Sequence, residues 1–137
     1  MIDASGACLC GAVRFDARGA ETEYHACHCG MCRRWGGGPF FGVGVESVTF
    51  EGEENVGRYA SSKWAERGFC KACGTSLFYF LKPTGKYTMT LGTFDDPKAF
   101  RLAREIFIDH KLESYALAGD RPRLTEKQVF DAASGAT

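Results

Sequence analysis

The chain has 137 residues, of which 17 are Lys or Arg and 17 are Asp or Glu, so its formal net charge is zero. A protein that neutralises phosphates carries a basic excess, so this balance argues against nucleic acid and acidic membranes as main partners. Apolar residues make up 45% of the chain, as in globular proteins. The length predicts one domain over residues 1–137. No apolar stretch reaches the roughly 18 residues that a membrane span needs.

The N-terminal residues predict no export. They contain neither a basic segment nor an apolar segment, so we expect no signal peptide and a cytoplasmic location. In such a reducing compartment the seven cysteines stay available for metal binding. A disulfide framework is the alternative, but it leaves one of the seven thiols unpaired.

Short alternating segments between glycines predict a mainly β fold. Taken in chain order, the predicted strands are residues 12–16, 40–45 paired with 47–50, 57–60, 65–69, a hairpin of 76–81 and 87–91, and a last strand at 105–108. Helix is expected only in short pieces: after Cys29, near residues 97–101, and in the tail from 125 to 133. Thr125 with Gln128 three residues later is the pattern of a helix N-cap.

All seven cysteines fall in three tight clusters. These are Cys8-Leu9-Cys10, Cys27-His28-Cys29-Gly30-Met31-Cys32 and Cys70-Lys71-Ala72-Cys73. A core cysteine has no reason to keep a neighbour two or three residues away, whereas a metal ligand does. Seven thiols divide as four plus three, which predicts one closed structural zinc site and one open site with a free position for water or substrate.

Cys70-x-x-Cys73 carries the strongest zinc signal. Its rival, a thioredoxin-type redox pair, begins a helix, whereas the residues after Gly74 form a strand-like stretch. Each cluster has a glycine directly after one of its cysteines (Gly11, Gly30 and Gly74), where a ligand turn needs tight backbone dihedrals.

Cys8 and Cys10 complete a four-cysteine set with Cys70 and Cys73. The other three cysteines then form a compact tripod that leaves one side of an ion open. A histidine could close that side, and the candidates are His28, His25 and His110. His28 lies between two ligands, so we expect it to point away or to bond outside the ligand set.

Two arginines follow the tripod directly. Arg33 and Arg34 predict an anion-attracting rim that recognises the carboxylates of an acidic thiol, with a solvated turn as the alternative. The next segment, Trp35 to Pro39, is either a pocket wall or a tight crossing with a core tryptophan.

Several motifs together resemble one known family. They are Cys8-x-Cys10-Gly11-x-Val13-x-Phe15, Cys27-His28-Cys29-x-x-Cys32-Arg33, Tyr59-x-Ser61-Ser62 and Arg67-x-Phe69-Cys70-x-x-Cys73-Gly74. The chain resembles the glutathione-dependent formaldehyde-activating (GFA) enzymes, a family that also includes centromere-protein-V-like proteins. The resemblance runs over about residues 5–124 and leaves 125–137 as a C-terminal tail.

The resemblance implies a β-tent fold of packed antiparallel sheets with short helices, stapled by zinc, as in methionine sulfoxide reductase B. It implies two Zn²⁺ per chain, a structural ion on the four cysteines and a catalytic ion on Cys27, Cys29 and Cys32. The family reaction is a carbon–sulfur lyase reaction that joins glutathione to formaldehyde as S-hydroxymethylglutathione. A non-catalytic zinc-binding interaction module, or a thiol or metal sensor, uses the same residues and stays open as the alternative.

Overall fold

The computed structural model describes residues 1–135, and over this range the chain is mainly β with short helices. The strands formed there are β1 (Ile2–Ala7), β2 (Arg14–Ala20), β3 (Glu23–Cys27), β4 (Phe40–Val45), β5 (Ser47–Glu51), β6 (Val56–Ala60), β7 (Ala65–Cys70), β8 (Ser76–Leu81), β9 (Lys86–Thr90), β10 (Arg101–Ile106) and β11 (Arg123–Leu124). The α-helices are α1 (Gly30–Gly36) and α2 (Glu126–Gly135), and 3-10 helices cover Glu53–Asn55, Leu91–Thr93, Pro97–Ala99 and Ile108–His110. The predicted fold class is confirmed.

The chain forms two compact units, each built from two separate segments. The first unit comprises Met1–Tyr24 and Gly42–Arg101, and the second comprises His25–Phe41 and the chain from Leu102 onward. The expectation of a single zinc domain over residues 1–137 stays a prediction. None of the helices within residues 1–135 is long and apolar enough to cross a membrane.

The first unit contains a three-stranded antiparallel sheet in the order β1-β2-β5. Strand β2 alternates between apolar and charged residues, so Phe15 and Ala17 are buried while Asp16 between them is exposed. Phe15 lies opposite Phe50 of β5. The strand predicted at residues 12–16 therefore exists, but it begins at Arg14 and runs on to Ala20.

The predicted pairing of β4 with β5 is wrong. Strand β5 pairs with β2, and β4 pairs with β9. Only Glu46 separates the end of β4 from the start of β5, and one residue is too short for the two-residue turn of the tightest common hairpin. The chain instead passes from one sheet to the other at Glu46.

The predicted hairpin of β8 and β9 is confirmed. It lies in an antiparallel run of the first unit with the order β4-β9-β8-β7-β6. Phe78 of β8 lies opposite Met89 of β9, and both side chains are fully buried. The Phe78 ring also packs edge-on against Tyr87 at a centroid distance of 4.9 Å. Burying an aromatic or Met side chain contributes about 1.5–3 kcal/mol, so this pair is a main part of the core.

In the second unit, β10 pairs in parallel with β11, with Glu105 opposite Arg123. The expectation that residues 105–108 form the last strand is wrong. Strand β10 ends at Ile106, because Phe107 adopts a left-handed φ of 55° and a 3-10 helix follows. Strand β11 then forms further along the chain.

The predicted tail helix is confirmed as α2. The Thr125 amide N–H donates to Gln128 Oε1 at 2.8 Å, and the Gln128 amide donates to Thr125 Oγ1 at 3.2 Å. This reciprocal capping satisfies two backbone donors at the start of the helix. The Phe130 ring then packs edge-on against Phe107 at a centroid distance of 6.0 Å.

Candidate metal centres and the adjoining cavity

The first unit brings four cysteine sulfurs together. This four-cysteine cluster consists of Cys8, Cys10, Cys70 and Cys73, whose sulfurs all lie within 4.8 Å of one another. Cys8 and Cys10 follow β1, whereas Cys70 ends β7 and Cys73 lies in the turn before β8. The grouping is the one predicted from the spacing.

The sulfur separations fit a tetrahedral zinc ion. Cys10 Sγ lies 3.7 Å from Cys8 Sγ and 3.8 Å from Cys70 Sγ. A tetrahedron with zinc–sulfur bonds of about 2.3 Å has edges of about 3.8 Å. Gly11 and Gly74 have φ values of 79° and 80°, so the two ligand turns use the left-handed region that favours glycine. The donor set therefore fits a closed thiolate site.

Hydrogen bonds and close sulfurs divide the negative charge unevenly in this cluster. The Thr75 hydroxyl, 3.2 Å from Cys73 Sγ, lowers the pKa of the Cys73 thiol to about 5. The Ala12 amide acts in the same direction on Cys10, but the sulfur of Cys73 and the other cluster sulfurs outweigh it and raise the pKa of Cys10 to about 11. Sulfurs at this separation compete to ionise, and a divalent cation removes that competition.

The second unit holds the other three sulfurs. This three-cysteine cluster consists of Cys27, Cys29 and Cys32, again with all sulfurs within 4.8 Å of one another. Cys27 ends β3, and Cys29 is the N-cap of α1, where its sulfur accepts the Cys32 amide N–H at 3.3 Å. The short helix predicted after Cys29 is confirmed as α1. Gly30 is the first residue of α1, and the helix supplies the turn.

The three sulfurs share a single negative charge readily. Contacts with the Cys27 and Cys32 thiols lower the pKa of Cys29 to about 2. Contacts with the Cys29 and Cys32 sulfurs, together with burial, raise the pKa of Cys27 far above its ordinary value. Without a metal, the cluster therefore holds one thiolate, at Cys29, that accepts from two thiols. A bound cation takes the place of the two thiol protons, so that all three sulfurs are ionised.

His28 points away from the cluster, in line with the sequence expectation. Its ring Nε2 lies 2.8 Å from Glu105 Oε1, and its Nδ1 lies 3.3 Å from the Tyr115 hydroxyl. Its backbone N–H donates to the Ile106 carbonyl at 3.1 Å. Within the described residues, no histidine nitrogen joins the sulfurs of either cluster. The alternative in which His28, His25 or His110 closes the open site gains no support from this geometry.

Glu105 is a buried carboxylate that three polar or charged side chains hold in place. Its side chain is 1% exposed, and it accepts bonds from Arg121 at 2.7 Å and from Arg123 at 2.9 Å, besides the one from His28. Burial alone would raise its pKa, but the bonds from His28, Arg121 and Arg123 outweigh burial and lower the pKa of Glu105. Glu105 is therefore ionised at neutral pH.

A cavity of about 80 Å³ adjoins His28 in the second unit. Its walls are His28, Arg33, Gly37, Gly38, Pro39, His110, Lys111, Leu112 and Tyr115. Arg33 lies on the wall, whereas the described cavity lining does not include Arg34. Of the two predicted roles of the segment after Cys32, the pocket wall is formed by Gly37 to Pro39. Trp35 is half-buried and not part of the core, and its ring packs on Phe40 at 6.1 Å.

Sequence reasoning missed most of the groups around His28. Glu105, Tyr115 and Arg121 were not predicted as site residues, although a glutamate beside the apolar residues 106–108 was an available signal. Such a charge in a buried strand needs partners, and it finds them in His28, Arg121 and Arg123. The residue types of Tyr115 and Arg121 carry no comparable local signal.

The fold and the thiol groups define a class: a mainly β protein with two cysteine clusters, each compatible with a metal ion. Residues 3–110 match the family model for glutathione-dependent formaldehyde-activating enzymes. A Schizosaccharomyces pombe protein named "Uncharacterized lyase" is 36% identical over 133 residues, covering 95% of this chain and 96% of that relative. The chain belongs to the glutathione-dependent formaldehyde-activating enzyme family.

A solved structure supports the fold. A crystal structure of a Rhodobacter sphaeroides protein matches with a TM-score of 0.58 and 20% sequence identity. The match covers 87% of this chain and 98% of that protein. At this identity the likeness concerns the fold alone.

Proposed function

We propose that this chain is a zinc-dependent carbon–sulfur lyase that joins a small thiol to a small aldehyde. Glutathione and formaldehyde are the pair that the family name indicates, and S-hydroxymethylglutathione is their product. The proposal assigns two zinc ions per chain, a structural ion in the four-cysteine cluster and a catalytic ion in the three-cysteine cluster. A relative named as a lyase supports the reaction class.

The observation that carries the proposal is the three-cysteine cluster, whose neighbours in the sequence, His28 and Arg33, line a cavity. Three sulfurs lie within 4.8 Å of one another, and the described residues contribute no fourth ligand. A site with three protein ligands and an open position is the catalytic form of a zinc site, whereas four ligands make the structural form. A bound zinc ion there supplies a positive centre at which a thiol is held as its thiolate near neutral pH.

The reaction needs little beyond this arrangement. The thiol sulfur forms a bond to the aldehyde carbon, the carbonyl π electrons move to oxygen, and that oxygen takes up the proton that the thiol released. No oxidant or reductant is required. The walls of the cavity bring the two reactants together, so the gain comes mainly from proximity and from keeping the thiol ionised. The seven free thiols suit a reducing compartment, and we propose the cytoplasm.

The first test is metal content followed by ligand exchange. Reduced protein should hold about two zinc ions per chain. After cobalt substitution, glutathione should strengthen the sulfur-to-cobalt charge-transfer absorption through a fourth sulfur, and Cys29→Ser should abolish that change. NMR exchange spectroscopy should then show S-hydroxymethylglutathione forming faster than in buffer alone.

Different results point to different conclusions. About one zinc ion per chain, with the three-cysteine cluster freely alkylated, would contradict the catalytic site. A spectral response to another thiol but not to glutathione would keep the lyase and replace the substrate. No response to any small thiol would favour the non-catalytic zinc module or sensor.

The two arginines after Cys32 should differ in effect. Arg33 lies on the cavity wall and Arg34 does not, so only Arg33 is placed to meet a carboxylate of the thiol. We expect Arg33→Ala to raise the KM for glutathione about tenfold and to leave the KM for β-mercaptoethanol, a thiol without a carboxylate, within twofold. The reason is that a charge-assisted hydrogen bond contributes about 1.5–3 kcal/mol. Arg34→Ala is the matched control, and equal effects of the two substitutions on glutathione would contradict this role.

A further inference from the structure

Tyr115 is held in a fixed position at the cavity wall. It lies beyond the residues that match the family model, in the segment between the 3-10 helix Ile108–His110 and β11. The Lys111 ammonium lies 4.8 Å from the centre of the Tyr115 ring and also donates to the Tyr115 backbone carbonyl. A second bond from Lys111, to the Leu112 carbonyl at 2.6 Å, ties down the same loop. Lys111 therefore orients Tyr115 twice, by its contact with the ring face and by its bond to the backbone carbonyl.

The Tyr115 hydroxyl is oriented in turn by a chain of buried hydrogen bonds. Glu105 is an ionised acceptor, so the proton in its 2.8 Å contact belongs to His28 Nε2. The other ring nitrogen, Nδ1, then faces the Tyr115 hydroxyl at 3.3 Å. Whether Nδ1 accepts from this hydroxyl or donates to it, the phenol oxygen keeps an unused lone pair. That oxygen belongs to a residue that lines the cavity.

The buried end of this series of hydrogen bonds, formed by His28 and Glu105, is held in place by several contacts. The side chains of His28 and Glu105 are each 1% exposed, and Arg121 and Arg123 fix the second carboxylate oxygen. A buried charged group with all its partners in place has few alternative positions. The position of the phenol oxygen is therefore set by His28, which lines the cavity beside it, and by Glu105 and its arginine partners behind His28.

The size of the cavity limits what can meet this oxygen. A dry engineered cavity of about 150 Å³ holds benzene, which has six heavy atoms. The cavity beside Tyr115 measures about 80 Å³, so it holds a group of about three heavy atoms. This volume suits the carbon and oxygen that an aldehyde contributes to a thiol adduct.

We propose that Tyr115 is a substrate-positioning residue whose phenol oxygen hydrogen-bonds the hydroxyl that the aldehyde oxygen becomes in the thiol adduct. The inference rests on the proposed lyase function. It assigns the thiol to the three-cysteine cluster and the aldehyde-derived oxygen to the Tyr115 side of the cavity. Glu105, which does not line the cavity, acts through His28 and Tyr115 by holding that hydroxyl in place.

The test separates aldehyde handling from thiol binding. Tyr115→Phe keeps the ring and removes only the hydroxyl. We expect kcat/KM for formaldehyde at saturating glutathione to fall about tenfold, the effect of one lost hydrogen bond in the transition state. The glutathione Kd, read from the charge-transfer band of the cobalt-substituted protein, should stay within twofold of wild type. Tyr59→Phe, on an exposed tyrosine of the first unit, is the matched control and should change neither value.

Two outcomes would overturn the inference. Unchanged kcat/KM in Tyr115→Phe would show that the hydroxyl meets no reacting group. A parallel loss of glutathione affinity, zinc content and turnover would show a brace for the fold instead of a contact with the adduct. Failure of the proposed function gives a different result: the wild-type protein then turns over no thiol–aldehyde pair. Failure of the Tyr115 inference alone gives an active wild type and an equally active Tyr115→Phe.

Discussion

Cys70→Ser should lose its cooperative thermal transition, whereas Cys29→Ser should melt close to wild type and lose turnover. Cys70 is fully buried at the end of β7, and the four-cysteine cluster joins chain segments that are 60 residues apart. Zinc binding at a closed thiolate site contributes of order 10 kcal/mol of folding free energy. A domain has about 5–15 kcal/mol in total. Losing this site therefore removes most or all of the stability.

Cys29, unlike Cys70, can be replaced by serine without loss of its local structural role. It caps α1 by accepting the Cys32 amide N–H, and serine is among the preferred residues at a helix N-cap. The serine hydroxyl can therefore preserve the start of the helix while one thiolate is lost from the three-cysteine cluster. Circular dichroism melts and zinc analysis of both variants measure the difference. Equal melting temperatures for Cys70→Ser and Cys29→Ser would rule out the division into a structural and a catalytic site.

Glu105→Gln should destabilise the protein by about 3–5 kcal/mol at pH 7, measured as the free energy of unfolding in urea. The substitution keeps the volume of the side chain but removes the charge that pairs with Arg121, whose side chain is 8% exposed. Removing one partner of a buried ion pair leaves the other charge uncompensated, and this costs several kcal/mol. The matched control is Glu23→Gln, because Glu23 and its partner Arg101 are both well exposed. We expect the control to cost less than about 1 kcal/mol.

The same contacts predict how this difference depends on pH. The pKa of Glu105 is lower in the folded protein than its ordinary value of 4.5, so the carboxylate stabilises the fold at every pH above that value. As the pH falls below 4.5 through the folded pKa, Glu105 takes up a proton and its contribution is lost. The gap in stability between wild type and Glu105→Gln should therefore shrink as the pH falls below 4.5. A gap that stays constant down to pH 3 would contradict the ionised network.

Patterned segments of the fold could be predicted from the sequence, and weakly patterned ones could not. The β8–β9 hairpin combines apolar stretches with a turn that contains Pro83 and Gly85, so both strands were predicted. Strands β1 and β3 were missed. Strand β1 is made mostly of small residues with low β propensity and forms because it pairs with β2. A local sequence pattern could not predict that β5 pairs with β2 either, because strand pairing depends on the path of the whole chain.

The sequence by itself determined the four-plus-three division of the cysteines. The members of each cluster lie within six residues or repeat a two- or three-residue spacing, so local backbone geometry limits which sulfurs can meet. Tertiary structure alone decided which arginine lines the cavity and what surrounds His28. Glu105 and Tyr115 lie 77 and 87 residues from His28 along the chain. These contacts arise because the chain after β3 runs beside β10, where the His28 N–H donates to the Ile106 carbonyl, and because the buried charge of Glu105 requires partners.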